Sequence, residues 1–382
     1  MIKSKAWILY RFWFFFLFIF SMYPWFTWGI ANYVAYSVGV IINIIILTWS
    51  YKSFYKAKQS DWAFVLLLLI TCLWLHNYSI YSLMSGILLW GTIFPWIMLK
   101  DEYKADIIRF ITKYFAIILL ISITTFILFQ IGVDFPHSLI HYRDSYGKIY
   151  NYYTFIYLGR GGGPLRFQSI FLEPGHMTMG IAPLLFINRY NLKNKYVLIL
   201  FIVQLFSFSL AGYIVLALGY LLQWFSSNKR KLYPLLVIPV CITIFIYCQN
   251  YVFKDDLVNK FIVERISGED FNRTSSNLTV EFNKDIQSGQ IIVGNQYLPE
   301  SLAGANGSAG IKVFLYVSGL IGLLLITLVY LYPIIIRQKA TKITVSFLII
   351  LAALLAQNSY PFWFCIYISL ICGSTYLKNE IA

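Results

Sequence analysis

Residues 196–225 read YVLILFIVQLFSFSLAGYIVLALGYLLQWF, a run without one charged side chain, with Lys193 and Lys195 before it and Lys229, Arg230 and Lys231 after it. A helix that crosses a bilayer uses about 20 apolar residues, so the run is long for one helix. Basic residues collect on the cytoplasmic side of a membrane, and clusters at both ends put both ends on that side. An even number of crossings follows. Two short helices that turn near Ala211 and Gly212 satisfy the length and the charge together.

The same reading extends along the chain. Of its 382 residues, 59% are hydrophobic and 12% charged, against about 25% charged in an average soluble domain. Apolar runs predict helices near residues 7–22, 30–49, 62–75 and 81–98, a fifth ending near 131, and a sixth from 169 that stops before Arg189. After the 196–225 pair come 232–249, 311–331 and a last block, 343–377. That block again has two basic ends and is predicted to turn at Asn358, Ser359, Tyr360 and Pro361. The expected fold class is all-α, a polytopic transmembrane bundle of about twelve spans with both termini inside. Its parts are N-terminal helices (1–131), a first periplasmic loop (132–168), central helices (169–249), a second periplasmic loop (250–310) and C-terminal helices (311–382).

The net charge of +14 resembles a nucleic-acid footprint until the basic residues are placed. About two-thirds fall between spans on the cytoplasmic side, so the excess reads as topology, with anionic lipids as partners and no nucleic acid. Cys72, Cys241, Cys248, Cys365 and Cys372 all lie in apolar runs; their odd number and lack of paired spacing argue for packing rather than disulfides or metal. Lys3 and Lys5 precede the first run, but Tyr23-Pro24-Trp25-Phe26 follows it instead of a small-residue cleavage site. An uncleaved first span is expected. The absence of an internal repeat weighs against a secondary transporter.

The chemistry concentrates in the two outer loops. Tyr142, Tyr146, Tyr150, Tyr153 and Tyr157 recur at steps of three and four, which is one face of a helix. Such a face either stacks sugar rings or sits at headgroup level. His137 and His141 have the i, i+4 spacing of a helical metal pair, but no third ligand is near and Pro136 disturbs the geometry, so no metal is expected. Arg160-Gly161-Gly162-Gly163-Pro164-Leu165-Arg166 is glycine-rich without the Gly-Lys-Ser/Thr of a nucleotide loop. It reads either as a flexible arm that carries two arginines to a ligand or as a connector.

Next comes Arg166-Phe167-Gln168-Ser169-Ile170-Phe171-Leu172-Glu173-Pro174-Gly175-His176. Glu173 reads as the acidic residue well inside a span, where a charge costs about 2.5–3.5 kcal/mol and is usually kept for function. Pro174 predicts an irregular outer end to the sixth helix. His176, one turn on, is placed to share a hydrogen bond with Glu173. Capping of the helix, or pairing with a loop arginine, is the alternative role for the carboxylate. The second loop adds Arg265 and Arg273, and guanidinium groups bind phosphate oxygens bidentately.

This layout, with the R-x-x-S-I-F-x-E-P-G segment and an arginine-bearing second loop, resembles the bacterial O-antigen and capsule polymerases of the Wzy type, relatives of the O-antigen ligases. The resemblance implies an inner-membrane glycosyltransferase with no cofactor and no metal. Its substrates would be undecaprenyl-pyrophosphate-linked oligosaccharides, and a chain-length regulator and a flippase of the same pathway would be its partners. It assigns Arg166, Arg265, Arg273 and, more weakly, Arg160 to the pyrophosphate, and Glu173 or His176 to the base. The ligases resemble one another in a histidine near the end of the second loop, where this chain has Asn306, and the glycine-rich close of that loop is reduced to Gly294-Asn295. Both departures favour a polymerase over a ligase that transfers glycan to lipid A core. A transporter of polysaccharide or lipid-linked sugar, with Glu173 as its proton site, is the reading from another class.

Overall fold

The computed structural model describes residues 5–28, 32–56, 58–75, 80–141, 149–153, 157–160, 167–226, 276–303, 311–333, 335, 341–357 and 364–379. The chain is mostly helical, and its helices fall on the apolar runs. They are α1 (Lys5–Phe20), α2 (Asn32–Ser50), α3 (Gln59–Leu75), α4 (Ile80–Met98) and α5 (Asp101–Gln130), then α6 (Pro174–Ile187), α7 (Lys195–Phe206) and α8 (Leu210–Ser226). After the second loop's own helix α9 (Ser276–Ser288) come α10 (Ile311–Tyr332) and α11 (Lys342–Gln357). The last helix, α12, runs through Phe364–Ile368, a π-helical turn at Ser369–Gly373 and Ser374–Asn379. The predicted ninth helix, 232–249, and the turn at 358–361 lie outside the described residues.

By length and composition, α5 and α10 are long and apolar enough to cross a membrane, while the other apolar helices have 10–17 residues in their apolar parts. Large apolar side chains point outward in helical register, as at Trp62, Leu66 and Ile70 of α3 and Leu320, Leu324 and Leu328 of α10. Helix α6 is the reverse case: every residue from Met177 to Ile187 is buried. A helix that is apolar and covered all round belongs at the centre of the bundle.

Pro95 inside α4 sets the contact with α2. Proline has no N–H, so the Gly91 carbonyl, four residues earlier, loses its helical donor. Asn43 of α2 replaces it, its Nδ2 donating to the carbonyls of Gly91 (3.0 Å) and Thr92 (2.8 Å) while its Oδ1 accepts from the Tyr10 hydroxyl (2.8 Å). Glycine allows the close approach. A Cβ on Gly39 would lie 2.7 Å from Thr92 Oγ1, and one on Gly91 2.9 Å from Val40 Cγ2. Asn43→Leu is expected to cost about 1–3 kcal/mol, the penalty of a buried unpaired carbonyl. A lower thermal midpoint in detergent is the readout; an unchanged midpoint would remove Asn43 from this role.

Two charged residues are buried near helix starts. Lys104 lies in the first turn region of α5, with Nζ donating to the Ile97 carbonyl at 3.0 Å. Asp61, in the first turn of α3, is fully buried. Its carboxylate accepts from Lys58 N–H (2.8 Å) and the Tyr332 hydroxyl (2.9 Å), so it caps α3 and fastens that end to α10.

The 196–225 run does fold as two helices, but the turn is at Ser207, Phe208 and Ser209, and Ala211 and Gly212 are already in α8. The hydroxyls decide the position: Ser207 Oγ donates to the Gln204 carbonyl at 2.7 Å and accepts from Ser209 N–H, and Ser209 Oγ accepts from Gly212 N–H. They cap the end of one helix and the start of the next.

The segment expected as the first loop departs from the all-α expectation. Residues His137–His141 (β1), Ile149–Tyr153 (β2) and Tyr157–Arg160 (β3) form an antiparallel sheet in the order β1-β2-β3. The helical tyrosine face does not form. Tyr150, Tyr153 and Tyr157 are on strands, where residues alternate between faces, and Tyr142 and Tyr146 lie outside the described residues. Aromatic and β-branched residues favour a pleated surface, and Gly147 opposes a continuous helix.

Candidate functional site

The site grows from Phe167, Ile170 and Phe171, three buried residues of an otherwise polar segment. Phe167 packs on Phe126 and Phe171 on Phe115, with ring centroids 5.4 and 6.0 Å apart, so the segment lies along α5. Its other flank is the loop after α1. Pro24 and Phe171 form an antiparallel bridge, Trp25 N–H donates to Ile170 O at 3.0 Å, and Leu172 N–H donates to Tyr23 O at 3.2 Å. Two of the six described non-glycine residues with left-handed backbone lie here, Tyr23 (φ 55°) and Ser169 (φ 54°). Such residues are uncommon outside turns and functional sites.

Glu173 follows in extended backbone (φ −145°, ψ 153°) as the N-cap of α6, with Pro174 in the first helical turn. The sequence reading is corrected here, for Glu173 is neither inside a helix nor buried. Its side chain is exposed and makes no cap, and among the described residues its carboxylate takes no hydrogen bond or ion pair. It sits at the positive end of the α6 dipole, which favours a negative charge. The irregular entry predicted from Pro174 is present. His176 lies in the first turn, its N–H on the Glu173 carbonyl at 3.1 Å, and the predicted side-chain hydrogen bond between the two is absent. The His176 ring instead faces Tyr23 at 5.6 Å.

Aromatic side chains continue from this point to the sheet. Trp25 packs on Tyr152 at 4.3 Å, Tyr153 on Phe129 at 5.0 Å, and His137 on Tyr153 at 5.3 Å. His137 and His141 occupy one strand four residues apart, about 13 Å along it, so they are not a metal pair. Among the described residues no group of three or more His, Cys, Asp or Glu is placed to hold a metal.

Of the arginines, Arg160 closes β3 opposite Tyr150. Arg166, Arg265 and Arg273 lie outside the described residues. The structure therefore brings Glu173 and His176 together with residues the sequence reading passed over: Tyr23, Trp25, Tyr152, Gln168 and Ser169. Gln168 Nε2 and Ser169 Oγ are buried without a partner among the described residues. The signal for Tyr23 and Trp25 was the aromatic cluster that ends the first apolar run. No protein-family model, curated protein or solved structure matches the chain.

Proposed function

We propose that this protein is a membrane glycosyltransferase that polymerises lipid-linked oligosaccharide repeat units, an O-antigen or capsule polymerase of the Wzy type. The observation that carries the reading is Glu173, an exposed carboxylate without a protein partner among the described residues, held on a fixed backbone beside His176 and an aromatic wall. The outward apolar faces of the helices support a bilayer setting. In this reading the bundle has about twelve spans in the inner membrane, with the 167–176 segment facing the periplasm.

The chemistry is one displacement. A hydroxyl of the incoming repeat unit attacks the anomeric carbon of the growing glycan, and the bond from that carbon to the pyrophosphate oxygen breaks. The electron pair leaves with undecaprenyl pyrophosphate, and the hydroxyl proton passes to Glu173 or His176. Arg166, Arg265 and Arg273, with Arg160 in a lesser role, neutralise the leaving pyrophosphate. Tyr23, Trp25 and Tyr152 offer ring faces to sugars, and two lipid-anchored substrates held side by side gain rate by proximity. A chain-length regulator and a flippase of the same pathway are the expected partners.

Deletion of the gene is expected to reduce surface polysaccharide from a ladder to single repeat units on electrophoresis. A ladder of normal length would refute polymerisation, and free polymer on its lipid carrier would point to a ligase. With arginines as the counter-charge, chain extension by the purified protein in vesicles is expected to persist in EDTA. A strict Mg²⁺ requirement would count against this mechanism.

A further inference from the structure

Helix α10 is broken at Gly319 (φ 68°, ψ −174°). A break there takes the carbonyls of Tyr316, Val317 and Ser318 away from their usual donors four residues on. All three are met from elsewhere. Asn295 N–H donates to Tyr316 O and Gln296 N–H to Val317 O, both at 2.8 Å, and Trp74 Nε1 of α3 donates to Ser318 O, also at 2.8 Å. The turn that supplies two of these donors is locked in place by glycine against glycine. A Cβ on Gly294 (φ 80°) would lie 2.5 Å from Gly319 N, and one on Gly319 2.6 Å from Gly294 N.

The depth of this joint follows from helix lengths, given the reading that α10 crosses a bilayer. From Leu320 to Ile335 the chain spans at most about 24 Å as helix, less than the roughly 30 Å of a hydrocarbon core. Part of the core must therefore lie on the Ile311 side of Gly319, at the level where residues 292–296 are clasped.

The side chains of the turn suit that level. Ile292 and Tyr297 are 52% and 62% exposed, Val293 is exposed beside them, and Leu320 and Leu324 of α10 continue the apolar surface. The amide side chains are engaged within the protein: Gln290 Nε2 donates to Gly294 O at 2.9 Å, Gln296 Nε2 to Val293 O at 3.2 Å, and Asn295 Nδ2 to the Asp285 carboxylate of α9. Non-helical backbone at membrane depth is tolerated where it is buried in protein; here Gly294 is buried and residues 294–296 lie on α10, so side chains rather than open backbone face outward.

We propose that residues 289–297 form a re-entrant turn whose Ile292, Val293 and Tyr297 lie in the acyl region of the bilayer, so that the second outer loop is anchored in lipid at the break of α10. The proposal rests on the membrane reading above. It is tested on the full chain in phosphatidylethanolamine/phosphatidylglycerol vesicles, with a nitroxide at Ile292→Cys, and separately at Val293→Cys and Tyr297→Cys in case one site perturbs folding. Labelling of the unsubstituted protein sets the background. Collision with oxygen and with a water-soluble nickel chelate is compared at each site with Leu324→Cys on α10 and Lys284→Cys on α9.

The expected result is a ratio of oxygen to nickel accessibility several-fold above that of Lys284→Cys and close to that of Leu324→Cys. A water-like turn with a lipid-like Leu324→Cys overturns the anchor and leaves the membrane reading standing. Water-like values at both overturn both. Low accessibility to both reagents at the turn means that protein, such as a second copy of the chain, covers it, and this too overturns the proposal.

Discussion

Glu173→Gln is expected to stop chain extension while leaving the protein folded and inserted. A general base contributes about 10²- to 10⁴-fold, and glutamine keeps the shape of the side chain but cannot take the proton. Nothing in the described structure leans on this carboxylate, since it makes neither a cap nor an ion pair there. A fall in rate without a fall in thermal midpoint is therefore the signature. The reference is His137→Ala. That ring packs on Tyr153 at the edge of the sheet, away from Glu173 in sequence and on a different element, and its loss is expected to cost far less activity. The measurement is incorporation of labelled repeat units into polymer by each purified variant. If His137→Ala were the more damaging of the two, the reacting centre would have to be sought in the sheet. His176→Gln separates the two candidates for the base: an effect as large as that of Glu173→Gln would make the pair act together, and a small effect would leave the proton with Glu173.

The apolar helices were legible in the sequence because most are apolar runs bounded by charge or proline, and run length and boundary residues are local properties; the polar α9, within the expected second loop, was not. What escaped depended on contacts between distant residues or on competing periods. Steps of three and four among Tyr142, Tyr146, Tyr150, Tyr153 and Tyr157 fit a helix, yet Ile149-Tyr150-Asn151-Tyr152-Tyr153 is also a good strand once β1 and β3 lie on either side of it. The hairpin turn moved from Ala211 to Ser207 because two serine hydroxyls satisfy backbone groups there, an effect hydropathy does not carry. Glu173 looked buried because apolar residues flank it. It is instead outside α6, because the segment before it pairs with Pro24, about 150 residues earlier in the chain. The closeness of Gly294 and Gly319 was invisible for the same reason: each glycine is ordinary alone, and only their opposition explains both.

Arg166→Ala and Arg265→Ala are each expected to lower chain extension by about 10²- to 10³-fold, the scale of one lost donor to a developing oxyanion. Neither is expected to alter insertion. For Arg166 the argument begins at its neighbour. Phe167 is fully buried against Phe126 of α5, so the chain just after Arg166 is fixed, and Glu173 lies a few residues along the same anchored segment. Arg166 directly precedes that segment in the sequence, and a displacement needs its leaving-group ligand and its base on either side of the attacked carbon. Arg265 belongs to the second long polar segment of the sequence. Within the same segment of sequence, Gly294 lies against Gly319 of α10. Because a pyrophosphate has several oxygens and guanidinium is bidentate, the two losses are expected to be less than additive if both arginines hold the same group. The double variant measures this coupling. Full activity of both single variants would refute the pyrophosphate assignment. Strict additivity would place the two arginines on different groups, one on the donor's leaving pyrophosphate and the other on the acceptor's, which remains attached throughout the transfer.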